Sequence, residues 1–133
     1  MNYSSYFKNY SKSIFDLLDT VQTDLIEKSV DLIRSKIKNN KKIYIVGNGG
    51  SSSIASHVSV DFAKVAKVDS STFNNSNLIT CFANDYQYEN WVTEAIKTYC
   101  HKEDLIILIS SSGTSLNIVN AGNYCKNNNI SLV

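Results

Sequence analysis

Lys41-Lys42-Ile43-Tyr44-Ile45-Val46-Gly47-Asn48-Gly49-Gly50-Ser51 changes character twice within a few residues. The β-branched and aromatic run Ile43–Val46 reads as a short strand, and Gly47-Asn48-Gly49-Gly50 as a turn. From Ser51 to about Lys67, Ile54, His57, Val58, Asp61, Phe62 and Val65 recur at helical spacing. The order is strand, glycine turn, helix. A second stretch repeats it: Leu105–Ile109 is a continuous apolar run of the kind buried on both faces of a parallel sheet. It leads through Ser110-Ser111-Ser112-Gly113-Thr114-Ser115 into a helix reaching about Lys126.

Working outward, Leu78-Ile79-Thr80-Cys81-Phe82 reads as the second strand, followed by Asn84-Asp85 and a helix from about Tyr88 to Cys100 carrying Trp91, Val92, Ala95, Ile96 and Tyr99. Ile130-Ser131-Leu132-Val133 reads as the start of a fourth strand. Upstream, Tyr3, Phe7, Tyr10, Ile14, Leu17 and Val21 form a near-heptad stripe on one helix, broadened by Tyr6 and Leu18. A second helix from about Thr23 to Lys38 carries Ile26, Val30, Ile33 and Ile37 and stops at Asn39-Asn40. This alternation predicts an α/β fold, a three-layer parallel sheet with helices on both faces, right-handed crossovers and extra N-terminal helices. Residues 1–40 form the helical segment, for packing on the domain or for a helix bundle between subunits. Residues 41–133 form the sheet domain.

The 133 residues are 43% hydrophobic and 19% charged, enough for one globular domain or a piece of one. Thirteen Lys plus Arg against twelve Asp plus Glu leave a net charge of +1, so no general field draws in nucleic acid or an anionic membrane. No apolar run approaches the roughly 20 residues of a membrane span, and no charged-then-apolar leader follows Met1. The expectation is a soluble cytoplasmic protein. Cys81, Cys100 and Cys125 are odd in number and lack CxxC spacing, which predicts plain thiols. Proline is absent, and four of the five glycines fall in the two turns, where backbone freedom is concentrated.

In such a sheet, ligands sit beyond the carboxyl ends of the strands. Both turns fall there. Gly49 and Gly50 admit unusual backbone angles, Ser51 is placed to cap a helix, and helix N-termini present N–H groups and positive dipole to an anion. The second turn adds hydroxyl donors. Neither turn holds Lys or Arg, which suits a phosphomonoester on a small molecule, and neither matches GxxxxGK[ST] or GxGxxG, which argues against NTPase and dinucleotide chemistry. His57 and Asp61, at i and i+4, share a helix face, close enough to hydrogen-bond or to share a cation. They are two ligands, whereas zinc takes at least three from the protein. His101, in a polar loop, reads as a surface residue.

Val46-Gly47-Asn48-Gly49-Gly50-Ser51 with His57, Phe82-Ala83-Asn84-Asp85 and Ile109-Ser110-Ser111-Ser112-Gly113-Thr114-Ser115 together resemble the sugar isomerase (SIS) domain, of flavodoxin-like type. More narrowly, they resemble the phosphoheptose isomerases, which interconvert sedoheptulose 7-phosphate and heptose 7-phosphate for lipopolysaccharide or capsule synthesis. The resemblance implies that Asn48, Gly49, Gly50 and Ser51 form a first substrate loop. It implies that Asn84 and Asp85 reach the sugar hydroxyls, and that Ser110, Ser111, Ser112 and Ser115 hold the phosphate. Ser111 stands where Thr is usual and Thr114 where Asn is usual. His57 matches a metal ligand. Asp61 falls where these isomerases carry a Glu that serves as metal ligand and acid/base group; it is one methylene shorter. Asp61 is thus the candidate catalytic residue, a substrate contact and, with His57, a metal ligand for zinc.

The family's remaining Gln and His ligands lie on a later helix, beyond Val133, so the resemblance implies a chain truncated at its C-terminus with an incomplete zinc site. The expected activity is aldose–ketose isomerisation through an enediolate by a homo-oligomer, dimer or tetramer. The alternative is a non-catalytic SIS module that binds a sugar phosphate or a protein partner. The 133 residues alone are expected to bind sugar phosphate weakly without isomerising it.

Overall fold

The computed structural model describes residues 2–133. The chain runs α1 (Tyr3–Leu18), α2 (Thr23–Lys38), β1 (Ile43–Gly47), α3 (Gly50–Lys64), β2 (Ser70–Ser71) and α4 (Ser76–Tyr86). It continues as α5 (Trp91–Tyr99), β3 (Leu105–Ile109), α6 (Leu116–Asn127) and β4 (Ser131–Leu132). Every strand pair is parallel, in the order β2-β1-β3-β4. That is the flavodoxin-like order, which reverses direction between β1 and β3.

The pleat explains why β1 and β3 are apolar throughout. Ile43, Ile45 and Leu105 face one side and pack with Ala55, Val58 and Phe62 of α3, Val68, and Leu32 and Ile33 of α2. Tyr44, Val46 and Ile106 face the other and pack with Phe73, with Trp91, Val92, Ala95 and Ile96 of α5, and with Ile118, Ala121 and Cys125 of α6. Helices therefore cover both faces, as predicted. Asp104, buried, accepts hydrogen bonds from the backbone N–H groups of Lys42 (3.0 Å) and His101 (2.8 Å), and so ties the start of β1 to the turn before β3.

Two expectations fail between β1 and β3. Leu78–Phe82 is not the second strand; it lies within α4. Asn75 caps that helix, its Oδ1 accepting the N–H groups of Asn77 (2.9 Å) and Leu78 (3.2 Å), and Leu78, Ile79, Phe82 and Ala83 then form an apolar helix face against the core. The spacing fits both periods over so short a run, and the cap decides it. The second strand is Ser70–Ser71, which pairs with Ile43 and Tyr44 at the sheet edge, where a short polar strand is tolerated. Asn84-Asp85 consequently sits in the last turn of a helix and not in a loop after a strand.

The chain forms two compact units, one ending at Asp31 and one spanning Leu32–Val133, with α2 running through the boundary. In the first, Asn2 caps α1 by accepting the N–H groups of Ser4 and Ser5, and α1 buries none of its residues. Its stripe of Tyr3, Phe7, Tyr10, Ile14 and Leu17 is exposed. In the second, the three cysteines are free thiols. Burial, with Asp104 adding to it, pushes the Cys100 thiol up to about 12, and burial pushes Cys125 up to about 11. Among the described residues no helix is long and apolar enough to cross a membrane.

Candidate functional site

Gly47 and Ile109 are register partners at the carboxyl ends of β1 and β3, so the two turns leave neighbouring strands where the strand order reverses. The first turn is shaped by backbone. A Cβ on Gly47 would stand 2.7 Å from the backbone of Ser51, so the helix can start this close to the strand only with glycine there. Gly49 takes φ 52 and ψ −120 and is the N-cap residue of α3. Ser51 was the expected cap, but its N–H donates to the Asn48 carbonyl (2.9 Å), and it is Ser52 whose Oγ donates back to the Gly49 carbonyl (2.8 Å). The sharp Gly49 geometry places the cap two residues ahead of Ser51.

Asn48 is held from two sides. Its Nδ2 donates to Asn117 Oδ1 and its Oδ1 accepts from Asn117 Nδ2, both at 2.9 Å, and the Tyr88 hydroxyl donates to the same Oδ1 at 3.4 Å. Neither Asn117 nor Tyr88 was singled out from sequence. For Asn117 a signal existed: it heads the row Asn117, Ala121, Cys125, so a polar residue stands on an otherwise apolar helix stripe.

The second turn keeps its hydroxyls outward. Ser110 Oγ accepts the Gly113 N–H (3.1 Å) and Ser112 Oγ accepts the Thr114 N–H (3.2 Å), with Gly113 at φ 66. Ser111, Ser112, Gly113 and Thr114 are exposed. Ser115 is the N-cap residue of α6 without a side-chain capping bond; its carbonyl accepts the N–H groups of Ile118 and Val119 (both 2.9 Å), and the N–H groups of Leu116 and Asn117 stand ahead of that ladder. Hydroxyls, N–H groups and the helix dipole here converge without a fixed cation, which suits an oxyanion held by neutral donors.

The other candidates lie apart from this pair of turns. Asn84 Nδ2 donates to Asp85 Oδ1 (3.0 Å) at the exposed end of α4, and Gln87, at φ 70, turns the chain so that Tyr88 reaches Asn48. The structure thus brings the end of α4 toward the first turn through Tyr88, with no direct bond from Asn84 or Asp85 to either turn among the described residues. His57 Nε2 and Asp61 Oδ2 are 3.3 Å apart, with side chains 79% and 53% exposed. They occupy the exposed side of α3, His57 about two and Asp61 about three helical turns from Gly50. No group of three His, Cys, Asp or Glu side chains that could hold a metal ion occurs among the described residues. His57 and Asp61 by themselves therefore do not fit zinc, which takes at least three protein ligands. A cavity of about 510 Å³ lies on another side of the sheet, lined by Lys42, Tyr44, Phe73, Phe82 and Tyr99 among others. None of the site candidates lines it.

Known proteins share this fold. Residues 5–133 match the SIS domain family. A phosphoheptose isomerase of Buchnera aphidicola is 33% identical over 135 residues, covering 97% of this chain and 70% of that protein. One of Helicobacter pylori is 31% identical over 126 residues, covering 90% of this chain and 65% of that protein. In three dimensions the chain is similar to the phosphoheptose isomerase of Neisseria gonorrhoeae, with a TM-score of 0.85 at 18% identity, over 99% of this chain and 73% of the other. The Francisella tularensis enzyme gives 0.84 at 19% identity, over 97% and 70%. These structural likenesses show the fold, and with the match over nearly the whole sequence the conclusion is direct: the chain belongs to the SIS domain family.

Proposed function

We propose that the protein is a phosphosugar isomerase of the phosphoheptose type, acting on sedoheptulose 7-phosphate and heptose 7-phosphate. The observation that carries this reading is the cation-free pair of turns at the β1/β3 switch point, in a chain whose relatives bear that enzyme's name. The phosphate sits against Ser110, Ser111, Ser112 and Ser115 and the N-terminus of α6. Hydrogen bonds to a charged acceptor contribute about 1.5–3 kcal/mol each, so a few of them hold a phosphomonoester without Lys or Arg. Asn48, Gly49, Gly50 and Ser51 line the sugar, and Asn84 and Asp85 reach its hydroxyls.

Isomerisation then requires a base to remove the proton beside the carbonyl, donors to stabilise the enediolate oxygen, and return of the proton to the neighbouring carbon. Asp61 is the base, and His57, 3.3 Å away, orients it and shares its proton. The pair stands among Ile54, Val60 and Val65, which are 54–74% exposed, and α1 carries its own exposed stripe. These apolar faces support a homo-oligomer, dimer or tetramer, in which a second copy covers them. No step is routed through zinc, because the described donors do not complete its site. The product serves heptose synthesis for lipopolysaccharide or capsule, and the enzyme works in the cytoplasm.

Solvent proton exchange into sedoheptulose 7-phosphate in deuterated water tests the reading. Exchange that falls by about 10²–10⁴-fold in Asp61→Asn supports the reading and overturns the expectation, drawn from the sequence, that these 133 residues alone do not isomerise. The second reading, a non-catalytic sugar-phosphate module, is favoured by the distance of His57 and Asp61 from the turns. Binding without any exchange would support it.

A further inference from the structure

We infer that Asn117 is a positioning residue for the substrate loop, acting through Asn48 and fixing which hydrogen-bonding group Asn48 offers a ligand. This inference rests on the functional reading above only for the identity of the ligand. Asn117 is 2% exposed, so its side chain is out of a ligand's reach. Its amide is nonetheless spent on one residue of the first turn, through two bonds of 2.9 Å with Asn48. Asn48 Oδ1 takes Asn117 Nδ2 at 2.9 Å and has the Tyr88 hydroxyl 3.4 Å away, so the oxygen is turned toward the protein's own donors. Its Nδ2 gives one hydrogen to Asn117 Oδ1 and keeps one. Asn48 therefore faces a ligand as a donor and not as an acceptor, and it selects a phosphate, carbonyl or hydroxyl oxygen.

The same end of α6 also holds the segment that supplies Tyr88. One turn after Asn117, Asn120 Nδ2 donates to the Glu89 carbonyl at 3.0 Å and lies 3.4 Å from Asn90 Oδ1. The first turns of α6 thus carry, on adjacent positions, the direct tie to Asn48 and the anchor of the residue that completes it. Because α6 begins at the serine turn, the tie joins the two turns into one unit. The serine turn supplies the donors for the oxyanion, and Asn117 keeps the glycine turn in register with it.

A double-mutant cycle separates this role from a general structural one. Sedoheptulose 7-phosphate is titrated calorimetrically into the wild type, Asn48→Ala, Asn117→Ala and the double variant, with melting temperatures recorded for each. Each single change is expected to weaken binding about tenfold, as for loss of one hydrogen bond to a charged or polar ligand, and the double variant to be no weaker than Asn48→Ala. A double variant weakened about a hundredfold, or an Asn117→Ala protein that binds like the wild type, overturns the inference. Asn117→Ser replaces Asn117→Ala in the cycle if the alanine variant does not fold. In the ligand-free protein, amide exchange across residues 46–53 should quicken about tenfold in Asn117→Ala or Asn117→Ser and by the same factor in Asn48→Ala. Unchanged exchange also overturns it. If the wild type binds no sedoheptulose 7-phosphate, the functional reading fails, and the exchange measurement alone decides the role of Asn117.

Discussion

The turns after β1 and β3 leave neighbouring strands and both open helices, yet they are built on opposite plans. After β1 the polar groups are consumed internally: Ser51 N–H on the Asn48 carbonyl, Ser52 Oγ on the Gly49 carbonyl, and the Asn48 amide on Asn117. The tight approach of Gly47 to Ser51 sets its shape. After β3 the hydroxyls of Ser111 and Ser115 make no hydrogen bond among the described residues, and Ser110 and Ser112 merely brace the turn. A Cβ on Gly113 would meet nothing within 4 Å. One turn supplies a wall and the other supplies donors. Apart from Asn48, whose Nδ2 keeps one hydrogen for a ligand, substitutions in the first should therefore act on stability, and substitutions in the second on affinity.

The largest contrast is between glycines. Gly47→Ala forces its Cβ against backbone and should cost about 2–3 kcal/mol, visible as a drop of several degrees in the melting temperature. Gly113→Ala meets no atom and bears only its positive φ, worth about 1 kcal/mol, so equal losses in the two melts would break the comparison. Next, Ser112→Ala should weaken sugar-phosphate binding about tenfold with little change in melting. Ser52→Ala, whose hydroxyl is spent on a carbonyl, should change affinity by no more than about twofold, the scale of a surface substitution. Calorimetry of the two side by side would expose an inverted assignment.

The smallest effect is in pH. Neither turn carries a titratable side chain, so affinity should follow the second ionisation of the phosphate, near about pH 6, and stay flat from neutrality to about pH 9. Stability follows other groups. Burial raises Tyr44 from 10.0 to about 12, Cys100 from 9.0 to about 12 and Cys125 from 9.0 to about 11. Folding favours their neutral forms, so their contribution is complete below about pH 9 and is lost as pH rises from there toward 12. Melting temperatures that already decline between pH 7 and 9 would show that other groups govern stability.

How much of this was legible differs element by element. β1, β3 and α2 are plain in the sequence because burial on two faces, or one clear helical stripe, leaves only one period that fits. The region 68–86 misleads because its strand is two serines at the sheet edge, while its helix carries Ile79, Thr80 and Phe82, residues of high β-propensity. Asn75, the cap that identifies α4, is one asparagine in a chain with many. The i, i+4 relation of His57 and Asp61 is a local matter, and it is seen directly at 3.3 Å. Asn117 and Tyr88 could not be reached the same way. Their partner is 69 and 40 residues distant in sequence, and only the β1/β3 pairing brings them together.

The central claim is that the two turns form one phosphosugar site, with the phosphate on the serine turn. A crystal structure of the protein with sedoheptulose 7-phosphate tests it most directly. The predicted result is a phosphate within hydrogen-bond distance of Ser110, Ser111, Ser112 or Ser115 at the N-terminus of α6, with the sugar extending toward Asn48. A phosphate bound instead beside Lys42, in the cavity under α4, would contradict it.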